Sequence, residues 1–268
     1  MRIDLHTHTW RCRHATGTAA EYVLAARVAG LDVIGLTDHA PLPPGLDPEA
    51  CYAMPAEEFE THLAEMADAA DAARAPGDPK VLVGIEADWL PGHPGHVEGL
   101  LSRDDFDVVL GSVHMLDGWA FDDPDLLDSW ESRSVEAVWR EYFSAVADAA
   151  ASGMYDVIAH PDLVKKFGHR PAEEPVALYE DVATELARTG VAIEVSSAGL
   201  RKPVGEIYPG PSLLRTLCRA GVPATTSSDA HRPHEVGIGL DEVRVALAAA
   251  GYDRVVYFEG RERREVPL

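Results

Sequence analysis

Arg2-Ile3-Asp4-Leu5-His6-Thr7-His8 sets the reading of the chain. Apolar Ile3 and Leu5 alternate with polar neighbours, the period of a half-buried strand. Side chains two apart on a strand point the same way. His6 and His8 are therefore expected to aim both imidazoles at one point. Alone, the pair is equally what two core histidines would look like. Its weight comes from the rest of the chain, because later strand ends also carry histidines and acids.

Working outward, residues 18–29 read as a helix, with Thr18 and Glu21 as a capping box and Gly30 as its stop. Residues 33–37 form a buried strand that ends in Asp38-His39. A proline-rich loop and an Ala- and Glu-rich helix come next, running to about residue 74, where His62 reads as a solvated helix residue. Strands are expected over 80–85, ending in Glu86, and over 107–113, ending in His114. A further strand over 156–159 ends in His160. The strand over 191–195 ends in Ser196-Ser197 and offers no ligand; the one over 222–226 leads to Asp229 and His231. Helices are expected over 134–152, 175–188, 212–220 and 240–250, and residues 255–258 read as a short eighth strand.

Strands alternating with helices imply a parallel sheet. Polar groups gathered at successive strand C-termini imply a closed α/β barrel with one active face. An open sheet would collect its site at a single switch point. The length suits one domain, residues 1–268.

Composition narrows the function. The chain is 46% hydrophobic, enough for a full core, and carries a formal charge of -22. That charge weighs against nucleic-acid and anionic-membrane surfaces, which need clustered Lys and Arg, and suits a small substrate with a cationic group. Cys12, Cys51 and Cys218 form no CxxC pair and cannot build a disulfide framework. No secretory signal or membrane-length apolar run is evident, so a cytoplasmic location is expected. Cys12 reads as a thiol without a role.

His6, His8, His39, Glu86, His114, His160, Asp229 and His231 all fall at strand ends, and His14 lies just past the first. Titratable groups crowded this closely repel one another, or must be desolvated, unless a cation joins them. Scattered core histidines would not collect seven of the chain's 12 His at these ends. Imidazole and carboxylate donors without thiolates suit Zn, Fe or Mn. Nine donors exceed what one ion needs, so two or three divalent ions are expected, with Glu86 as a natural bridge. Paired ions about 3.5–4 Å apart are the usual arrangement for phosphate-ester hydrolysis.

The motifs Asp4-Leu5-His6-Thr7-His8, Thr37-Asp38-His39, Gly84-Ile85-Glu86-Ala87-Asp88, Gly111-Ser112-Val113-His114 and Ser228-Asp229-Ala230-His231 resemble the polymerase and histidinol phosphatase (PHP) family. The resemblance implies a distorted (β/α)7 barrel holding up to three metals. It implies one metal on His6, His8, Glu86 and Asp229, a second on Glu86, His114 and His160, and a third on His14, His39 and His231. The stretches 111–125, 160–168 and 197–209 resemble the monofunctional histidinol-phosphatase branch. That implies hydrolysis of L-histidinol phosphate, a small phosphate monoester, with Glu86, Asp229, His231 and Arg201 at the reaction centre. The chain has few lysines, and Lys165, Lys166 and Lys202 all come after the fifth and sixth strands beside Arg201. These four are the expected phosphate-binding residues. Arg201→Ala is expected to leave metal content unchanged, since Arg201 ligates none. A PHP phosphoesterase for nucleotides or oligonucleotides is the competing enzyme reading, and a non-catalytic metal-binding or regulatory protein is the other. The acidic charge weighs against the first, the complete donor set and clustered lysines against the second.

Overall fold

A computed structural model describes every residue except Asp104. Seven parallel strands form its centre: β1 (Ile3–Asp4), β2 (Val33–Leu36), β3 (Lys80–Asp88), β4 (Val108–Ser112), β7 (Val157–Ile158), β8 (Ala192–Ser196) and β9 (Ala224–Ser227), hydrogen-bonded in that order. Leu5 N donates to Thr226 O at 3.1 Å and Thr226 Oγ1 donates to Ile3 O at 2.6 Å, so β9 comes back against β1 and the barrel nearly closes. Helices α1 (Ala19–Ala29), α2 (Phe59–Ala72), α3 (Pro94–Leu101), α4 (Val135–Ala151), α5 (Val176–Thr189) and α6 (Pro211–Ala220) make the six crossovers, and α7 (Leu240–Ala250) lies beyond β9. Strands buried on both faces read as apolar runs; β2 and β4 are buried at every position. This is the distorted (β/α)7 architecture.

Local chemistry explains most of the boundaries. The Thr18–Glu21 capping box is present, and Gly30 ends α1 in the left-handed conformation that glycine adopts at no steric cost. The stretch after β3, for which the sequence suggested no helix, carries α3; Pro94 at its first turn is a start signal. The Trp- and Asp-rich loop after β4 contains a hairpin of β5 (Met115–Leu116) and β6 (Trp119–Ala120). Its two-residue turn is Asp117-Gly118, both at positive φ, the combination that suits strand twist.

The expected short eighth strand is present, as the first arm of a hairpin. β10 (Arg254–Glu259) pairs antiparallel with β11 (Glu262–Pro267) and stands outside the barrel sheet. Gly260 and Arg261, both at positive φ, form another tight turn that sends the chain straight back. The tip of this hairpin closes the barrel end opposite the histidines. Arg261 N donates to Asp107 O just before β4, and its guanidinium donates to Asp156 just before β7. Among the described residues no helix is long and apolar enough to cross a membrane.

Candidate metal centre

The C-terminal ends of β1, β3, β7 and β9 deliver donors to one point. His6 and His8, just past β1, bring their Nε2 atoms to 2.8 Å. Glu86 near the end of β3 lies between two groups of rings. Its Oε2 is 2.9 Å from His39 Nδ1, 3.1 Å from His6 Nε2 and 3.5 Å from His8 Nε2. Its Oε1 is 3.1 Å from His160 Nε2 and 3.7 Å from His114 Nε2. A carboxylate that offers one oxygen to each of two donor groups is placed as a bridge. Asp229 Oδ1 lies 3.2 Å from His8 Nε2. The His231 ring stacks between His8 and His14, with centroids 4.3 and 4.9 Å away. His39 stacks on His8 at 4.4 Å and lies 5.2 Å from His14.

The outer contacts decide which ring nitrogens are bare. A carboxylate can only accept, so His6 Nδ1 donates to Glu194 Oε1 at 2.7 Å and His114 Nδ1 donates to Asp88 Oδ1 at 2.8 Å. Each ring then turns an unprotonated Nε2 toward Glu86 when neutral. Two ring nitrogens facing each other at hydrogen-bond distance need a proton or a cation between them. Glu86 Oε2, His8 Nδ1 and His160 Nδ1 are buried with no hydrogen-bond partner among the described residues. These residues fit divalent metal ions: nitrogen and carboxylate donors converge, and carboxylates behind the rings hold the tautomer that metal ligation requires.

Electrostatics agree. Against burial, which lowers it, Asp88 and Glu86 push the His114 pKa up to about 10. Burial also opposes charge on His6, yet Glu86, Glu194 and Asp229 hold that ring well above the ordinary histidine range. Burial, with the neighbouring His39 and other rings, takes His14 down to about 4. Burial likewise takes His231 down to about 3, Asp229 opposing and His14 and His39 assisting. Two further signs mark the place as built for function. His160 and Asp229 both sit at positive φ, 25° and 48°. For residues other than glycine such backbone costs of order 1–3 kcal/mol and persists where the surroundings enforce it.

All nine expected donors therefore meet around one cavity or its floor. Glu194 was not anticipated. The strand expected to contribute nothing sends this buried carboxylate behind the cluster, where it accepts from His6 Nδ1 and, through Oε2 at 2.6 Å, from His160 N. A glutamate inside an apolar strand is itself a sequence signal, since an unpaired buried charge is rarely tolerated. Asp88 was legible within its motif, though not its bond to His114.

His62 is a correction to the solvated reading. It is buried, with Nε2 3.8 Å from Asp38 Oδ2. Phe59, His62, Leu63, Met66 and Ala69 form one buried stripe on α2, so helical periodicity placed it inward. Cys12, read as a thiol without a role, is buried, and its sulfur and one donor atom each of His14 and His231 lie within 4.8 Å of one another.

The cationic residues divide. Arg201, Lys202 and Lys166 line the same cavity of about 730 Å³ as His14, His39, His114, His160 and His231. Burial lowers the Lys202 pKa; Asp229 opposes that shift, and Lys166 and Arg201 add to it. Lys166 Nζ also donates to Asp122 Oδ2 at 2.9 Å. Lys165 stands apart, which corrects its expected role. Its Nζ is buried, 2.8 Å from Asp162 Oδ2, and donates to Ile207 O at 2.8 Å. Arg201 Nη2 donates to the carbonyls of Ser228 and Asp229 at 2.7 and 3.2 Å. It thereby braces the backbone at Asp229, one of the expected donors.

Comparison with known proteins agrees with the geometry. The PHP domain model matches residues 4–198. The chain is 40% identical to a "Probable histidinol-phosphatase" of Deinococcus radiodurans, over 97% of both chains. It is 26% identical to the "Histidinol-phosphatase" of Bacillus subtilis, over 90% of this chain and 97% of that one. Its fold superposes with a TM-score of 0.79 on the crystal structure of histidinol phosphate phosphatase from Lactococcus lactis, complexed with zinc, L-histidinol and phosphate. That protein is 19% identical, with 98% of each chain covered. A nearly closed seven-stranded barrel, a donor cluster at its strand ends and a full-length relative at this identity lead to one conclusion: the chain belongs to the PHP-domain family.

Proposed function

We propose that the protein is a metal-dependent phosphomonoesterase that hydrolyses L-histidinol phosphate to L-histidinol and phosphate. A single arrangement carries this: imidazole donors gathered on Glu86 share one cavity with Arg201, Lys202 and Lys166. The named activity of the Deinococcus and Bacillus relatives supports the choice of substrate. Asp88, Asp123 and Asp125 line the same cavity, surroundings that suit a substrate with an ammonium group and an imidazole.

Two or three divalent ions, Zn, Fe or Mn, would be held by His6, His8, Glu86 and Asp229, by Glu86, His114 and His160, and by His14, His39 and His231. Bound there, they supply Lewis acidity to a phosphoryl group and lower the pKa of water. The chain's own residues do the rest. Glu86 holds the two donor groups at a fixed separation. Glu194 and Asp88 orient His6 and His114. Arg201 turns its guanidinium to the phosphate while bracing the backbone at Asp229, and Lys202 and Lys166 add charge at the mouth. Asp229 and His231 hold the far side of the cluster. We infer a cytoplasmic location, which its three free cysteines support.

Steady-state kinetics test the reading. kcat/KM for histidinol phosphate should exceed that for p-nitrophenyl phosphate, nucleoside monophosphates and short oligonucleotides by well over tenfold, and a chelator should abolish it. A flat substrate profile would return the function to a PHP phosphoesterase without a defined substrate.

A further inference from the structure

Two buried donors on the cavity wall have no partner among the described residues. Arg201 Nη1 and the Tyr208 hydroxyl are both buried without a hydrogen-bond acceptor among the described residues, and both residues line the cavity that holds the histidine cluster. Leaving a buried donor unpaired costs about 1–3 kcal/mol, so each calls for an acceptor that arrives with a ligand.

The two residues come from one loop. Arg201 lies just past β8. Tyr208 returns to the end of that strand, where Ser196 N donates to Tyr208 O at 2.6 Å and Tyr208 N donates to Ser196 O at 2.9 Å. The ring is wholly buried. It rests against Gly199, where a Cβ would lie 3.1 Å from Tyr208 Cζ, and a side chain there would also strike the Glu206 carbonyl. The His160 ring meets it edge-on at 6.5 Å, and Lys165 Nζ lies 5.4 Å from its centroid. Glycine at 199 thus leaves room for the phenol, and the buried Lys165 ammonium lies over the ring. Burial and the surrounding carboxylates, Asp162 first, raise the phenol's pKa, so it stays protonated and can donate.

We infer that the Tyr208 hydroxyl donates a hydrogen bond to a phosphoryl oxygen of the substrate, completing with Arg201 Nη1 a two-donor clamp contributed by the β8 loop. The inference rests on the phosphomonoesterase reading of the cavity. No proton is transferred; the phenol holds the oxygen as charge develops on it.

Tyr208→Phe removes the hydroxyl and keeps the ring. Because the hydroxyl has no partner among the described residues, the variant should fold with its metal content unchanged. Inorganic phosphate should inhibit it about tenfold or more weakly than wild type, while inhibition by histidinol stays the same. kcat/KM for histidinol phosphate should fall about 10- to 100-fold, the size of one hydrogen bond to a charged group. Phosphate inhibition within twofold of wild type would overturn the clamp. So would a lower Tm with unchanged phosphate inhibition, which would assign the hydroxyl to Asp162, whose Oδ1 is also unpartnered. Inorganic phosphate is the probe, so this test stands even if the wild type prefers another ester. Failure of the substrate reading shows instead in the wild-type kinetics.

Discussion

Glu194 accepts from the His6 ring and the His160 backbone, so it ties the ends of β1 and β7 together through β8. Glu194→Gln keeps the shape but sets an NH2 group against either the His6 N–H or the His160 N–H. Metal affinity should fall about 10- to 100-fold, the usual cost of losing an outer partner of a metal-binding histidine. Competition with a chromophoric chelator would measure it, and unchanged affinity would show that His6 needs no carboxylate behind it. On the proposed reading Arg201 has two jobs, phosphate and the Asp229 backbone. Arg201→Ala should lower kcat/KM by roughly 30- to 1000-fold, about 2–4 kcal/mol of transition-state stabilisation. It should also weaken metal retention. Elemental analysis of the variant alongside its kinetics separates the two, and near-normal kcat/KM would transfer the phosphate to Lys166 and Lys202.

At the scale of elements, the C-terminal hairpin shows a strand legible in sequence whose partner was not. Val255, Val256 and Phe258 are buried as a core strand would be, yet the ladder partner is local. A turn of Gly260 and Arg261 favours the adjacent segment over a distant barrel edge, because closing a short loop costs less entropy. The hairpin's role is then structural. Arg261→Ala would strand Asp156, whose carboxylate is mostly buried and whose pKa burial already raises. The expected loss is roughly 1–3 kcal/mol of stability. Denaturant unfolding should show it as a lower midpoint at constant slope, with kcat per folded, metal-loaded molecule unchanged. A drop in kcat would instead couple the two barrel ends.

For the molecule as a whole, metal loading and protonation are linked. In the metal-free protein, burial opposes charge on His6 and His114, but the carboxylates around them raise both pKa values, His114 up to about 10, which favours the protonated rings at neutral pH. A metal takes only the bare nitrogen, so loading must displace those protons. Titrating zinc into the stripped protein at pH 7 should release about two protons per chain. Calorimetry in buffers of different ionisation enthalpy would count them. The release should decline as pH rises past the His114 value of about 10. Buffer-independent heats would show that the rings are neutral before metal arrives.

Residue order alone determined the barrel and nearly all of its donor set. Strand period, helix caps and stop glycines are local, and a parallel barrel converts strand ends into a single face, so His6, His8, His39, Glu86, His114, His160, Asp229 and His231 could be placed together without coordinates. Tertiary structure alone decided which side chains of like type share a role. Lys165 and Lys166 are neighbours in sequence, but the short helical turn at Leu163–Lys165 points one into the protein toward Asp162 and the other into the cavity. Glu194 and Tyr208 became visible only when β8 and its loop were folded against strands distant in sequence. Direction and partnership across long separations depend on packing, which no local pattern records.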